Sequence, residues 1–354
     1  TTAIIAAGAI STSAAVADVS ISGGMEWTYE SFDRGTTQGL GTGASNDDFS
    51  SDTNVVMKFT NKTDSGLEIG MILNLETIGD DAASGVNADE QYMFIKGGFG
   101  EIQLGMNDGA GDQLTRTASD LIGPDANSDN GGTYLGTTGS AVAGYAQTVD
   151  ATRLADDNAD LINDINDENN ITYILPKMGG LTVGVSYKDA GDTAAANGDE
   201  TVFGAKYDFV SGAVKGSIHY GNSNTGGASA GDSSLNSDSM AVDITSGAFR
   251  AVIAKANSDM TTAVTTEVTD YGIQYNLGNG ITLAAVGTQV SENVGGESSD
   301  ITTVSAKYNI ASGLDAYVTY SDYDYENGTS ATSNVATNLD DDGSVMFVTL
   351  KASF

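Results

Sequence analysis

The chain has no cysteine, two prolines (Pro124 and Pro176), one tryptophan, one histidine (His219), and 14 lysines and arginines against 48 acids among 354 residues. Without cysteine there are no disulfides and no thiolate centres, so a chain this size needs another framework, of which continuous sheet hydrogen bonding is one. Few prolines beside 45 glycines suit many strands joined by tight turns, and argue against a disordered Pro-rich chain. A formal net charge of −34 argues against nucleic acid or anionic lipid held through a basic patch. Beyond residue 17 no apolar run approaches the ~18 residues that a membrane-crossing helix needs. There is no Gly-Lys dipeptide, hence no phosphate-binding P-loop.

What is present begins with "TTAIIAAGAISTSAAVA", apolar, rich in small residues and closing on Ala15-Val16-Ala17 before Asp18. This is the apolar region and cleavage pattern of a secretory signal peptide. Residues 1–17 are therefore read as a truncated signal and 18–354 as one mature domain.

The rest of the chain is dominated by alternation. Period-two segments fall near 19–32, 51–61, 66–78, 88–97, 100–107, 168–176, 180–189, 200–210, 213–222, 238–246, 248–257, 267–277, 280–291, 300–310, 313–323 and 343–354. The connections sort by length. Short Gly-containing turns such as "GGFG", "NLGNG" and "NIASG" alternate with long stretches, the longest at 108–167. An antiparallel meander with turns at one end and loops at the other predicts an all-β, up-and-down transmembrane barrel of about sixteen strands.

The two faces of the strands agree with that architecture. Leu67, Ile69, Met71, Leu73 and Leu75 alternate with Glu68, Asn74 and Glu76, and Leu314, Ala316, Val318 and Tyr320 with Asp315 and Thr319. The terminal "GSVMFVTLKASF" puts Met346, Val348, Leu350, Ala352 and Phe354 on one face and Phe347, Thr349, Lys351 and Ser353 on the other. Aromatic residues cluster at both strand ends, as in the interfacial girdles of membrane barrels. Phe94, Tyr207, Phe209, Tyr275, Tyr308 and Phe354 are assigned to the periplasmic ring, and Tyr29, Tyr187, Tyr220, Tyr320 and Tyr323 to the external one.

The first strand "DVSISGGMEWTYESF", the hairpin "QYMFIKGGFGEIQLGMND" with its long following loop, and the terminal "FVTLKASF" resemble the general bacterial porins, particularly the sixteen-stranded alphaproteobacterial type. The resemblance covers the mature chain as a pattern, and in close wording only the hairpin and the terminus. It implies homotrimers of water-filled channels in the outer membrane, in contact with lipid and lipopolysaccharide. It also implies a third loop folded into the barrel opposite a row of wall charges, and a final Phe read by the assembly machinery. The Pro-Glu-Phe-Gly-Gly element of the enteric porins' third loop is absent, so the family does not say which loop residues constrict the pore.

Candidate pore residues follow from strand parity and from this loop. They are Lys58, Glu68, Glu101, Lys206, Lys215, Arg250 and Lys307 on the wall, and Asp108, Asp112, Arg116 and Asp120 in the loop. Lys188 and Lys351 share the inward parity, and so do Glu26, Glu76, Asp243, Asp270 and Asp315. Opposed acid and base rings would impose a transverse field on passing solutes, and an excess of acid would favour cations. A helix is read near 152–166, with Leu154, Leu161, Ile162 and Ile165 on one side.

No cofactor is expected. Asp125, Asn127 and Asp129 have the spacing of calcium ligands, but Gly131 falls one place late and no Glu follows at the twelfth position, so the segment fails as an EF-hand. Asp322, Asp324 and Glu326 are similarly unspecific, which leaves at most weak Ca2+ or Mg2+ binding by loop carboxylates. "GASAG" around Ser229 matches a nucleophile motif but lies in a Gly/Ser/Asn-rich loop, and His219 reads as a pore-lining residue, so no enzyme is expected. The expected function is passive diffusion of small hydrophilic solutes and ions, leaning toward cations. The alternatives are a solute-specific channel, or an adhesive or structural surface barrel.

Overall fold

A computed structural model describes residues 18–34, 46–78, 86–124, 165, 168–189, 198–226, 235–261, 264–293, 298–326 and 341–354. Its framework is sixteen strands. In the first half these are β1 (Asp18–Arg34), β2 (Asn46–Lys62), β3 (Glu68–Ile78), β4 (Asn87–Gly97), β5 (Gly100–Asn107), β6 (Glu168–Ile174), β7 (Leu181–Lys188) and β8 (Glu200–Ser211). The second half holds β9 (Val214–Thr225), β10 (Leu235–Ser246), β11 (Phe249–Thr261), β12 (Val264–Gly278), β13 (Ile281–Glu292), β14 (Ser298–Ala311), β15 (Leu314–Glu326) and β16 (Asp341–Ser353). Each pairs with its chain neighbour, and β16 pairs antiparallel with β1, so the barrel closes. Closure leaves no unpaired sheet edge, which a strand exposed to lipid could not tolerate.

The seam shows how the alternation is used. Trp27 lies opposite Leu350 and Tyr29 opposite Val348 on the outer face, whereas Thr28 faces Thr349 and Glu26 faces Lys351 on the inner one. The inner pairs are polar and bonded: Thr28 and Thr349 share a hydroxyl hydrogen bond of 3.0 Å, and Lys351 forms an ion pair with Glu26. At the terminus Gly23 and Phe354 exchange backbone hydrogen bonds of 2.9 and 3.3 Å, and the Phe354 ring stands in the open.

The outer apolar band is bounded on every strand where its sequence can be followed. On β12, Leu277, Tyr275, Ile273 and Tyr271 give way to Thr269 and Glu267; on β15, Ala316, Val318 and Tyr320 give way to Asp322 and Asp324. Four outward positions cover about eight residues, close to the ~25 Å band of an outer-membrane barrel once strand tilt is counted. Above the band, charge returns to the outer face, where Lys255 pairs with Glu267 at 2.8 Å.

Three expectations change. Phe94 does not belong to the outer ring. It points inward and is buried, filling the space that Gly70 leaves by lacking a Cβ, with Lys58 Nζ 5.3 Å above its ring. Phe94 has the same inner parity as Lys96, two residues on, and lies opposite Gly70 in register. Tyr323 is likewise on the inner face and buried. Finally, β11 and β12 pair as far as Thr261 and Val264, so they run past the strand ends expected at 257 and 267. The strands also run past the expected ends, β2 from Asn46 and β15 to Glu326.

Candidate functional site

The site is built where the chain leaves β5. A five-residue helix, α1 (Ala110–Leu114), and a 3-10 turn at Ser119–Leu121 follow directly. All their wall contacts are with the inner face. Ala110 N–H donates to Ser186 Oγ on β7 at 2.7 Å, and Leu114 C=O accepts from His219 Nδ1 on β9 at 2.7 Å. Arg116 reaches Asp243 on β10 at 3.8 Å. Ala118 and Leu121 pack on Val252 of β11 and Val286 of β13, and Gln274 of β12 donates to Leu121 C=O at 3.1 Å. Ile122 then packs against Val345 and Phe347 on β16, and a Cβ on Gly123 would lie 2.9 Å from the Tyr317 ring of β15.

Residues 110–123 thus touch the wall from β7 round to β16, half the circumference of sixteen strands. With neighbouring strands about 4.8 Å apart and tilted, a chain this short covers that arc only along the inside. Phe347 explains the apparent flaw in the last strand's alternation: it is an apolar seat for this segment. At its far end Ile165 is buried against Val202 of β8 and accepts a hydrogen bond from Gly109 N–H at 2.7 Å. Residues 125–164, 166 and 167, including most of the helix expected at 152–166 and the Asp125–Asp129 cluster, lie outside the described residues, as do residues 1–17 and Ser229.

All eleven candidate pore residues lie within the described part, and their settings differ. Lys58 is exposed over Phe94 and Lys215 is exposed near the β8–β9 turn. Glu68 lies opposite Lys96 in register, and Lys96 bonds Glu101 at 3.0 Å. Lys206 is 3.3 Å from Asp208, Lys307 2.7 Å from Asp315, and Arg250 grips Asp243 through Nη2 at 2.7 Å and Nε at 3.2 Å. Arg116 bonds Asp120 at 2.8 Å. Asp108 opens the inward segment, its carbonyl accepting from Gln113 Nε2 at 2.7 Å, and Asp112 sits half-buried in the first turn of α1.

Lys96, Lys206, Arg250, Lys307 and Lys351 each lie beside a carboxylate on their own or the next strand, and Arg116 beside Asp120 of its own segment. Cross-strand placement makes it so, since neighbours on one face approach to about 5 Å and opposite charges there lower each other's cost.

His219 is corrected. It faces inward as parity requires, but α1 lies over it and leaves only 2% of it exposed. Sequence reasoning missed its role, along with Ser186, because both depend on a helix too short to show a period.

One further inner cluster was only half seen. Lys188 of β7, with its side chain 11% exposed, is held between Glu168 of β6 and Glu200 of β8, the latter at 2.9 Å, and Glu200 also accepts from Ser223 at 3.0 Å. Replacing Lys188 by Met leaves the buried Glu200 without its cation, a loss of about 3 kcal/mol for a buried pair. The expected result is a lower urea or heat unfolding midpoint for Lys188→Met, largely restored by Lys188→Arg.

The same architecture occurs in known proteins. The family model described as Gram-negative porin matches residues 1–328. Solved structures that align over the chain include an anion-selective porin from Comamonas acidovorans, at 15% identity and a TM-score of 0.65, covering 96% of this chain and 100% of that one. A triple mutant of the Rhodopseudomonas blastica porin aligns at 16% identity and a TM-score of 0.61, covering 95% and 100%. A loop-deletion mutant of OmpT, an outer membrane protein of Vibrio cholerae, aligns at 11% identity and 0.60, covering 96% and 99%. At these identities the structures support the fold alone. No curated protein matches the chain. The family match over most of the chain, on a closed sixteen-strand barrel with an apolar outside and a charged inside, places it: the chain belongs to the Gram-negative porins, integral β-barrel channels of the bacterial outer membrane.

Proposed function

We propose that the channel carries small hydrophilic solutes and ions by passive diffusion, that residues 108–124 narrow it, and that it favours cations. The observation that carries the last point is the state of the inner bases. Arg116, Lys206, Arg250 and Lys307, four of the inner bases that could hold an anion, each already face a carboxylate within 4 Å. Meanwhile Glu30, Asp52 and Glu76 add negative charge to the β1–β3 wall. In a confined aqueous lumen, fixed charge of one sign raises the local concentration of counter-ions. The Comamonas porin is named anion-selective; the preference proposed for this channel is the opposite.

In this reading transport needs neither turnover nor a cofactor, and external carboxylates bind Ca2+ or Mg2+ only weakly. The resemblance to the general porins implies a homotrimer embedded in outer-membrane lipid and lipopolysaccharide, and this is part of the proposed reading. The test is the reversal potential of reconstituted channels in planar bilayers under a salt gradient. A cation preference that shrinks as salt rises is expected; a clear anion preference overturns the selectivity reading.

A further inference from the structure

We propose that the inner wall of β7–β9 is a receptor shaped for α1, and that His219 is its acid-sensitive latch, a positioning residue that fixes the inward segment and thereby the conductance. This rests on the reading of residues 108–124 as the segment that narrows the pore. A five-residue helix has no stability of its own, because nucleation costs more than one turn returns. Gly109, at the N-cap position of α1, offers no side-chain cap. The wall supplies both ends instead: Ser186 Oγ accepts the Ala110 N–H and His219 Nδ1 donates to the Leu114 carbonyl. It also supplies the room. Gly184, Gly204 and Gly221 stand side by side in register across three strands. A Cβ would come within 2.8 Å of Ala110 Cβ at Gly184 and within 2.0 Å of the Ala110 oxygen at Gly204.

The latch has a defined protonation state. A carbonyl only accepts, so Nδ1 carries the ring proton, and Nε2 therefore accepts from the Ser217 hydroxyl at 2.7 Å. The neutral ring is fully satisfied and buried. A second proton on Nε2 reverses that hydrogen bond, Ser217 Oγ now accepting, and places a full charge under α1. The charged groups around it are Lys206 and Asp208 on β8, Lys215 on β9, Asp243 on β10 and Arg250 on β11. Arg116 acts on it from the inward segment, itself bonded to Asp120. Asp243 is already engaged by two guanidinium groups, Arg250 and Arg116, and Lys206 lies directly opposite His219 in register. Burying an additional positive charge there is unfavourable, so acid loosens the hold on Leu114.

The experiment is single-channel recording of the full chain in planar bilayers while pH is lowered across about 8 to 5, where histidine changes charge. The wild type is expected to show a several-fold rise in open-channel fluctuation with one-proton dependence. His219→Asn keeps a donor for the Leu114 carbonyl but cannot charge, and is expected to match the wild type at neutral pH without the rise. His219→Leu, checked for barrel assembly by its far-ultraviolet strand signal, is expected to fluctuate at every pH. An unchanged pH response in His219→Asn overturns the latch, and so does quiet wild-type conductance in His219→Leu. Gly184→Leu separates this from the underlying reading: if it too leaves conductance unchanged, the inward segment does not set the pore and the reading itself fails.

Discussion

Gly204→Val is expected to lower unitary conductance and raise open-channel noise more than any single charge replacement in the lumen. The reason is geometric. A Cβ at Gly204 would lie 2.0 Å from the Ala110 oxygen, 2.8 Å from its carbonyl carbon and 3.1 Å from Leu114 Cβ. The first two are backbone atoms, which cannot rotate aside, and β8 is held on both edges by its ladders to β7 and β9. So α1 must withdraw toward the pore axis by on the order of an ångström, losing Ser186 and His219 as end partners. Close packing transmits such a shift rather than absorbing it. Gly98→Val, at a turn where a Cβ meets nothing within 4 Å, is the control and is expected to leave conductance unchanged. Wild-type conductance for Gly204→Val, in a barrel that assembles, would refute the docking described above.

A second large effect is expected at Asp243. Its carboxylate is shared by Arg250, at 2.7 Å, and Arg116, at 3.8 Å, where the inward segment meets the wall. Asp243→Asn frees Arg250, leaves Arg116 with Asp120 alone, and makes the local charge one unit more positive. A unit charge about 4 Å from a passing ion is worth about 1 kcal/mol even at the dielectric of water, about fivefold against the cation and about fivefold in favour of the anion, so the cation-to-anion permeability ratio should fall by roughly twenty- to thirtyfold. Reversal potentials at low and high salt measure this directly, and the difference should fade near molar salt as screening shortens to about 3 Å. An unchanged ratio at low salt would show that this cluster lies off the ion path.

The strand framework was legible because each strand meets lipid on one side and charged side chains on the other, which writes a period of two into residues such as Leu67 to Glu76. Legibility ended where one environment ended. The first residues of β2, "NDDFS", and the last of β15 carry too few apolar positions for an alternation to mark them, Phe49 standing alone among acids and serine on β2. The ends of β11 and β12 were hidden in the same way, in "SDMTTAVTT". For Phe94 and Tyr323 position near a strand end misled, although each shares the inner parity of a charged residue on its own strand, Lys96 on β4 and Asp315 on β15.

The candidate site was legible only in part. That Lys206, Arg250 and Lys307 face inward follows from parity. That each is matched by a carboxylate depends on register between strands, which one strand's sequence does not contain. Gly184, Gly204 and Gly221 carry the signal that would have located the α1 seat, but they line up only once β7, β8 and β9 are aligned. Phe347, a bulky apolar residue on an otherwise polar face, was the one clue visible in advance that something packs inside the barrel.

The most direct test of the central claim, a water-filled passive channel narrowed by an inward segment, is liposome swelling with a series of sugars of increasing size. The account predicts that the purified barrel gives swelling rates that fall smoothly with solute size and do not saturate with concentration. No swelling with any sugar, or swelling confined to one sugar and saturating with its concentration, would contradict it.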